Sequence, residues 1–122
     1  MKLNLYSLRE ECNEVANCCH KNVNRIIELM AKYPTNSKLL GKYTKLNIIL
    51  EKLCEYISSC CCNSDHVSKY IINEYASQCK KMVQLCIQIN QYLNRDDADY
   101  IRCNKMIKIC TNKYIRTKSK KK

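Results

Sequence analysis

Apolar positions along the chain recur at alternating intervals of three and four, the spacing that keeps side chains on one face of an α-helix. The first such run is Leu8, Cys12, Val15, Cys19, Val23, Ile26, Ile27 and Met30. It opens at Ser7, where Ser7-Leu8-Arg9-Glu10 matches a capping box. It closes near Tyr33, because Pro34 disfavours helix in the residue before it. The second run starts around Thr35–Ser37 and reaches about Cys61 through Leu39, Leu40, Tyr43, Leu46, Leu50, Leu53, Cys54 and Ile57. Gly41 lies inside it, at a cost of roughly 1 kcal/mol relative to alanine. Asn63-Ser64-Asp65 supplies cap residues for a third helix, with Val67, Tyr70, Ile71, Tyr75, Cys79, Met82, Cys86, Ile89 and Leu93 on its inner stripe. Asn94-Arg95-Asp96-Asp97 makes the next turn, and a fourth helix carries Tyr100, Cys103, Met106, Ile107, Cys110 and Tyr114.

Short connections favour antiparallel neighbours, so the pattern predicts an all-α protein, an antiparallel up-down-up-down four-helix bundle over residues 1–115. The composition agrees. One glycine and one proline in 122 residues are too few for the many turns of a sandwich or barrel. A chain of this length makes one domain with one core. Residues 116–122 form a basic tail, RTKSKKK from Arg116, expected to be disordered. The tail contributes to a net charge of +11, which suits acidic partners, and its contact with nucleic acid or an anionic surface is a weaker expectation. The N-terminal stretch lacks the apolar core of a signal peptide, and no apolar run is long enough to span a bilayer. A cytoplasmic chain with reduced thiols is therefore expected.

Eleven cysteines change the picture. Eight fall in four pairs of one spacing, Cys12–Cys19, Cys54–Cys61, Cys79–Cys86 and Cys103–Cys110. Seven residues are two helical turns, so each pair lies on one face, with an apolar residue between its members: Val15, Ile57, Met82 or Met106. Cys12-Asn-Glu-Val-Ala-Asn-Cys-Cys19 resembles Cys54-Glu-Tyr-Ile-Ser-Ser-Cys-Cys61, and the other two segments resemble each other. At about 1.5 Å per residue along antiparallel helices, Cys79 is expected to face Cys110 and Cys86 to face Cys103. Cys12 and Cys54 are expected at one level, with Cys61 below and Cys19 above, so that the thiols form a column along the core.

Soft cations prefer such ligands, and Cu+ accepts two or three sulfurs. The candidate core ligands are Cys12, Cys19, Cys54, Cys61, Cys79, Cys86, Cys103 and Cys110, with Cys18, Cys60 and Cys62 peripheral or at an entry. Met82 and Met106 could add thioethers, although core packing is the plainer role for both. His66, close after the triple cysteine, is a candidate ligand where the column opens; His20 reads as a surface residue. Zinc sites with Cys-x2-Cys knuckles, iron–sulfur motifs, thioredoxin-type Cys-x-x-Cys and phosphate-binding glycine loops are all missing from the sequence, so no enzyme activity is expected. Two other readings stay open. The cysteines could pack the core as small hydrophobes or form inter-helix disulfides in a structural or interaction module, for example one made in an oxidising compartment or packed into a virus particle. A thiol-redox protein would need one cysteine of lowered pKa.

On the four cysteine pairs and His66, the chain resembles the copper storage proteins, four-helix bundles whose cores are lined with thiols. The likeness is architectural and spans roughly residues 7–115. It implies several Cu+ ions in the bundle interior, storage or buffering of copper ions, and a homo-oligomer, commonly a tetramer. That family commonly places cysteines four apart and has more of them per helix. The spacing of seven here, with Val15, Ile57, Met82 and Met106 in between, implies a lower capacity.

Overall fold

The computed structural model describes residues 4–63 and 66–120, with side chains described as far as Thr111. It is all-helical, with no strand among the described residues. Five α-helices follow in order: α1 (Leu5–Asn24), α2 (Ile26–Lys32), α3 (Ser37–Asn63), α4 (Lys69–Asn90) and α5 (Ala98–Lys120), with a short 3-10 turn at Pro34–Asn36. Helix α5 thus takes in residues 116–120 of the basic tail, while Lys121 and Lys122 lie outside the described residues.

Three boundaries differ from the sequence expectation, each for a local reason. The cap of α1 is Asn4, whose side chain accepts from the Ser7 backbone N–H at 3.0 Å, so Ser7 sits one turn inside the helix. The single helix expected to reach Tyr33 is broken at Arg25 (φ −94°, ψ −6°), whose N–H turns back to the Asn22 and Val23 carbonyls. Helix α4 begins later than expected. Asn63 still belongs to α3, Ser64 and Asp65 lie outside the described residues, and the cap is Ser68, accepting from the Tyr70 N–H at 3.2 Å.

Two inner-stripe assignments are also corrected. The buried seam of the first segment runs through Cys12, Val15, Cys19, Asn22 and Leu29, which leaves Ile27 80% exposed. Tyr70, in the first turn of α4, is 72% exposed, and burial on that helix starts with Tyr75. Tyr114 lies beyond the described side chains.

Packing is closest between α1 and α3 and between α4 and α5. Partners pair in falling order against rising order. Arg9 meets Cys62, Asn13 meets Ser58 and Asn22 meets Asn47. On the other hairpin Cys79 meets Cys110 and Cys86 meets Cys103. Helices α3 and α4 also pack together, and α5 closes on α1 through Arg102 and Asn22. One cluster of buried residues fills the space between them, including Leu8, Leu40, Leu50, Ile57, Met82, Ile89 and Met106 together with eight cysteines. Burying a large aliphatic side chain of this kind stabilises by about 1.5–3 kcal/mol.

Candidate metal centre

The a/d-type seams of four helices converge on the core, and the small, soft thiol is the residue those positions carry most often. All eleven cysteines are free thiols; Cys12, Cys18, Cys19, Cys54, Cys79, Cys86, Cys103 and Cys110 are buried, Cys60 and Cys61 half-buried, and Cys62 exposed. Three cross-helix pairs are in hydrogen-bonding contact: Cys54 with Cys12, Cys79 with Cys110, and Cys86 with Cys103. These are the facing pairs expected from helix rise. Every pair joins the two helices of one hairpin, α1 to α3 or α4 to α5.

The remaining cysteines take different places. Cys19 is fully buried and within electrostatic reach of Cys54, Cys79 and Cys86. Cys61, expected among the core ligands, is only half-buried and neighbours Cys12 and Cys60 at the end of α3. Cys18, expected at the periphery, is buried, and its charged neighbours are Lys105, Glu14, Arg102 and Lys21. Tyr56 hydrogen-bonds Cys60, and the Arg9 guanidinium donates to the Cys62 sulfur at 3.2 Å. His66 is exposed in the segment between α3 and α4. His20 faces Glu51 at 3.4 Å on the surface, as the sequence suggested. Met82 and Met106 are fully buried in the same core.

Burial decides the protonation of most of these groups. Desolvation raises Cys18, Cys19 and Cys61, with neighbouring thiols adding to it for the latter two. For Cys54, Cys79 and Cys86 the largest cause is the proton each donates to its partner sulfur, with desolvation next; all three are pushed well up. Cys103 goes the other way. It accepts from Cys86, lies 3.3 Å from the Tyr43 hydroxyl, and is within reach of Arg102, so its thiol is held below the usual range in spite of burial.

Two buried tyrosines, Tyr43 and Tyr75, both expected on inner stripes, and a polar network that did not stand out in the sequence complete the core. Tyr75 donates to Glu11 at 2.8 Å and also contacts Cys79. Asn22 donates to Asn47 at 3.0 Å, Asn47 donates to the Tyr43 carbonyl at 2.8 Å, and Arg102 donates to Asn22 at 2.7 Å and to Asp99 at 2.6 Å. Arg25 grips the same Asp99 carboxylate from the other side at 3.1 Å. The available signal was positional. Asn22 follows Cys19 by three residues, Asp99 precedes Cys103 by four, and Asn47 precedes Cys54 by seven, so each extends a cysteine seam.

The sulfurs meet two at a time. Among the described residues no group of three or more His, Cys, Asp or Glu is arranged to hold a metal ion. Facing pairs match the digonal coordination that Cu+ accepts better than the tetrahedral set of zinc. Among the described residues no helix is long and apolar enough to cross a membrane. No family model, curated protein or solved structure matches the chain, so the site is read from its own residues.

Proposed function

We propose that the protein binds several Cu+ ions through paired cysteines inside an up-down-up-down four-helix bundle, and so stores or buffers copper. The observation that carries this reading is the set of three buried cross-helix thiol pairs, Cys12–Cys54, Cys79–Cys110 and Cys86–Cys103. Each pair needs only to lose its two protons to become a two-coordinate site: two thiols and Cu+ give a bis-thiolate carrying one negative charge, and two protons leave for solvent. Cys19 and the thioethers of Met82 and Met106, buried in the same core, extend the donor supply. The exposed Cys62 and half-buried Cys60 and Cys61 serve as the outer ligands by which copper reaches Cys12. A reducing compartment such as the cytoplasm keeps all of these sulfurs available.

The test is anaerobic titration of the fully reduced chain with Cu+ against a chromophoric chelator. Uptake of several equivalents in competition with the chelator supports storage; no uptake sinks it. The same pairing favours a second reading, because two thiols in contact across helices are also positioned for disulfide rungs of a structural module. Counting thiols in protein isolated without reductant separates the two. Nearly eleven accessible after denaturation fits storage, and about five fits three closed rungs.

A further inference from the structure

The three thiol pairs are not electrically equivalent. A bis-thiolate Cu+ centre is a buried anion, and its stability depends on the donors and charges around it. Around Cys86–Cys103 these are favourable. The Tyr43 hydroxyl lies 3.3 Å from the Cys103 sulfur, is only 2% exposed as a residue, and would donate to that sulfur once it is a thiolate. Arg102, the residue before Cys103, is within electrostatic reach of Cys103, where it opposes the weaker effect of Asp99, and is held in place by Asn22 and Asp99. Arg25 shares the single Asp99 carboxylate with Arg102, so the two guanidinium groups outnumber the buried carboxylate by one; among the described residues the other acid on Arg25 is Glu28, 68% exposed and screened by water.

Around Cys79–Cys110 the corresponding groups oppose one another. The Tyr75 hydroxyl is shared, donating to Glu11 at 2.8 Å and also hydrogen-bonding Cys79, which favours that thiolate, while the Glu11 carboxylate places a negative charge within reach of Cys79. Cys12–Cys54 is surrounded by further thiols, Cys19 and Cys79, which oppose a second negative charge beside them.

We infer that Cys86–Cys103 is the first and tightest copper site of the column, built as an anion-stabilising centre in which Tyr43 and Arg102 act as positioning residues for a singly charged bis-thiolate. This inference rests on the copper-binding reading above and adds an order of filling to it.

The experiment measures the first and the total Cu+ equivalents taken from a chromophoric chelator by the reduced full-length chain and by three variants: Cys86→Ser/Cys103→Ser, Cys79→Ser/Cys110→Ser, and Tyr43→Phe. Loss of one charge-assisted hydrogen bond is expected to weaken the first equivalent about tenfold in Tyr43→Phe while total capacity is unchanged. The Cys86→Ser/Cys103→Ser variant loses the tight first equivalent, and Cys79→Ser/Cys110→Ser keeps it and loses a later one. The inference is overturned if removing Cys79 and Cys110 abolishes the tightest equivalent, or if Tyr43→Phe binds the first ion as well as the parent. Tyr43→Phe preserves the apolar ring, so it answers the question even where a serine pair unfolds the core. Failure of the parent chain to take any copper is a separate outcome, which removes the underlying reading together with this one.

Discussion

Asn47 is wholly buried on a helix that otherwise shows leucine, tyrosine, isoleucine and cysteine to the core, and it is tolerated because both ends of its amide are used. Its oxygen accepts from Asn22 and its nitrogen donates to the Tyr43 carbonyl one turn back. Replacing Asn47 with leucine adds apolar surface but strands the Asn22 amide in a site with little water. An unsatisfied buried donor costs about 1–3 kcal/mol, so Asn47→Leu is expected to lower stability by that amount in urea denaturation, despite its greater hydrophobicity. An unchanged or raised midpoint would show that water replaces the missing acceptor. At this scale the sequence was informative about cysteines and poor about their partners. Heptad arithmetic placed Cys79 opposite Cys110 because rise per residue is nearly constant. It could not place Tyr43 on Cys103 or Arg102 on Asn22, since those contacts depend on side-chain direction across three different helices.

Helices were legible because the apolar spacing is regular, while their ends were legible only where one residue controls them. Pro34 stops the first segment near Tyr33 as expected. Arg25 gave no such warning, because arginine is a good helix former and the break goes with a distant partner, Asp99 on α5. Asn4 and Ser68 compete with nearby capping candidates, and the tertiary packing chooses among them. Gly41 offers a direct test at this level. It lies in the second turn of α3, its φ is not positive, and a Cβ built there would meet nothing within 4 Å. Gly41→Ala should therefore stabilise by roughly 0.5–1 kcal/mol and raise the thermal midpoint by a few degrees, with copper uptake unaffected. A fall in midpoint would mean that this surface of α3 is covered by something the monomer does not show.

For the molecule as a whole, the sum of its raised thiols sets a pH limit. Cys18, Cys19, Cys54, Cys61, Cys79 and Cys86 hold their protons more tightly when folded, while Cys103 alone among the shifted cysteines holds its proton less tightly. In the unfolded chain the same groups ionise near pH 8.5. Below that pH both states are protonated and the folded form keeps its full advantage. Above it the unfolded chain binds fewer protons, so the stability of the reduced, metal-free protein should fall steadily from about pH 8.5 upward. Urea midpoints measured at successive pH values under reductant check this, and a flat profile between pH 8 and 10 would contradict the buried placement of the thiols.

The network of Asn22, Asn47, Asp99, Arg102 and Arg25 lies at one end of the column, and the exposed Cys62 lies at the other. If copper binds as proposed, the amides and guanidinium groups would close one end of the thiol core, and ions would enter from the side of Cys62. Cargo held beside the closed end would have to pass every later arrival on its way out. On that reading the vessel would empty in the reverse of the order in which it fills, and its innermost ion would be the last one a competitor could reach.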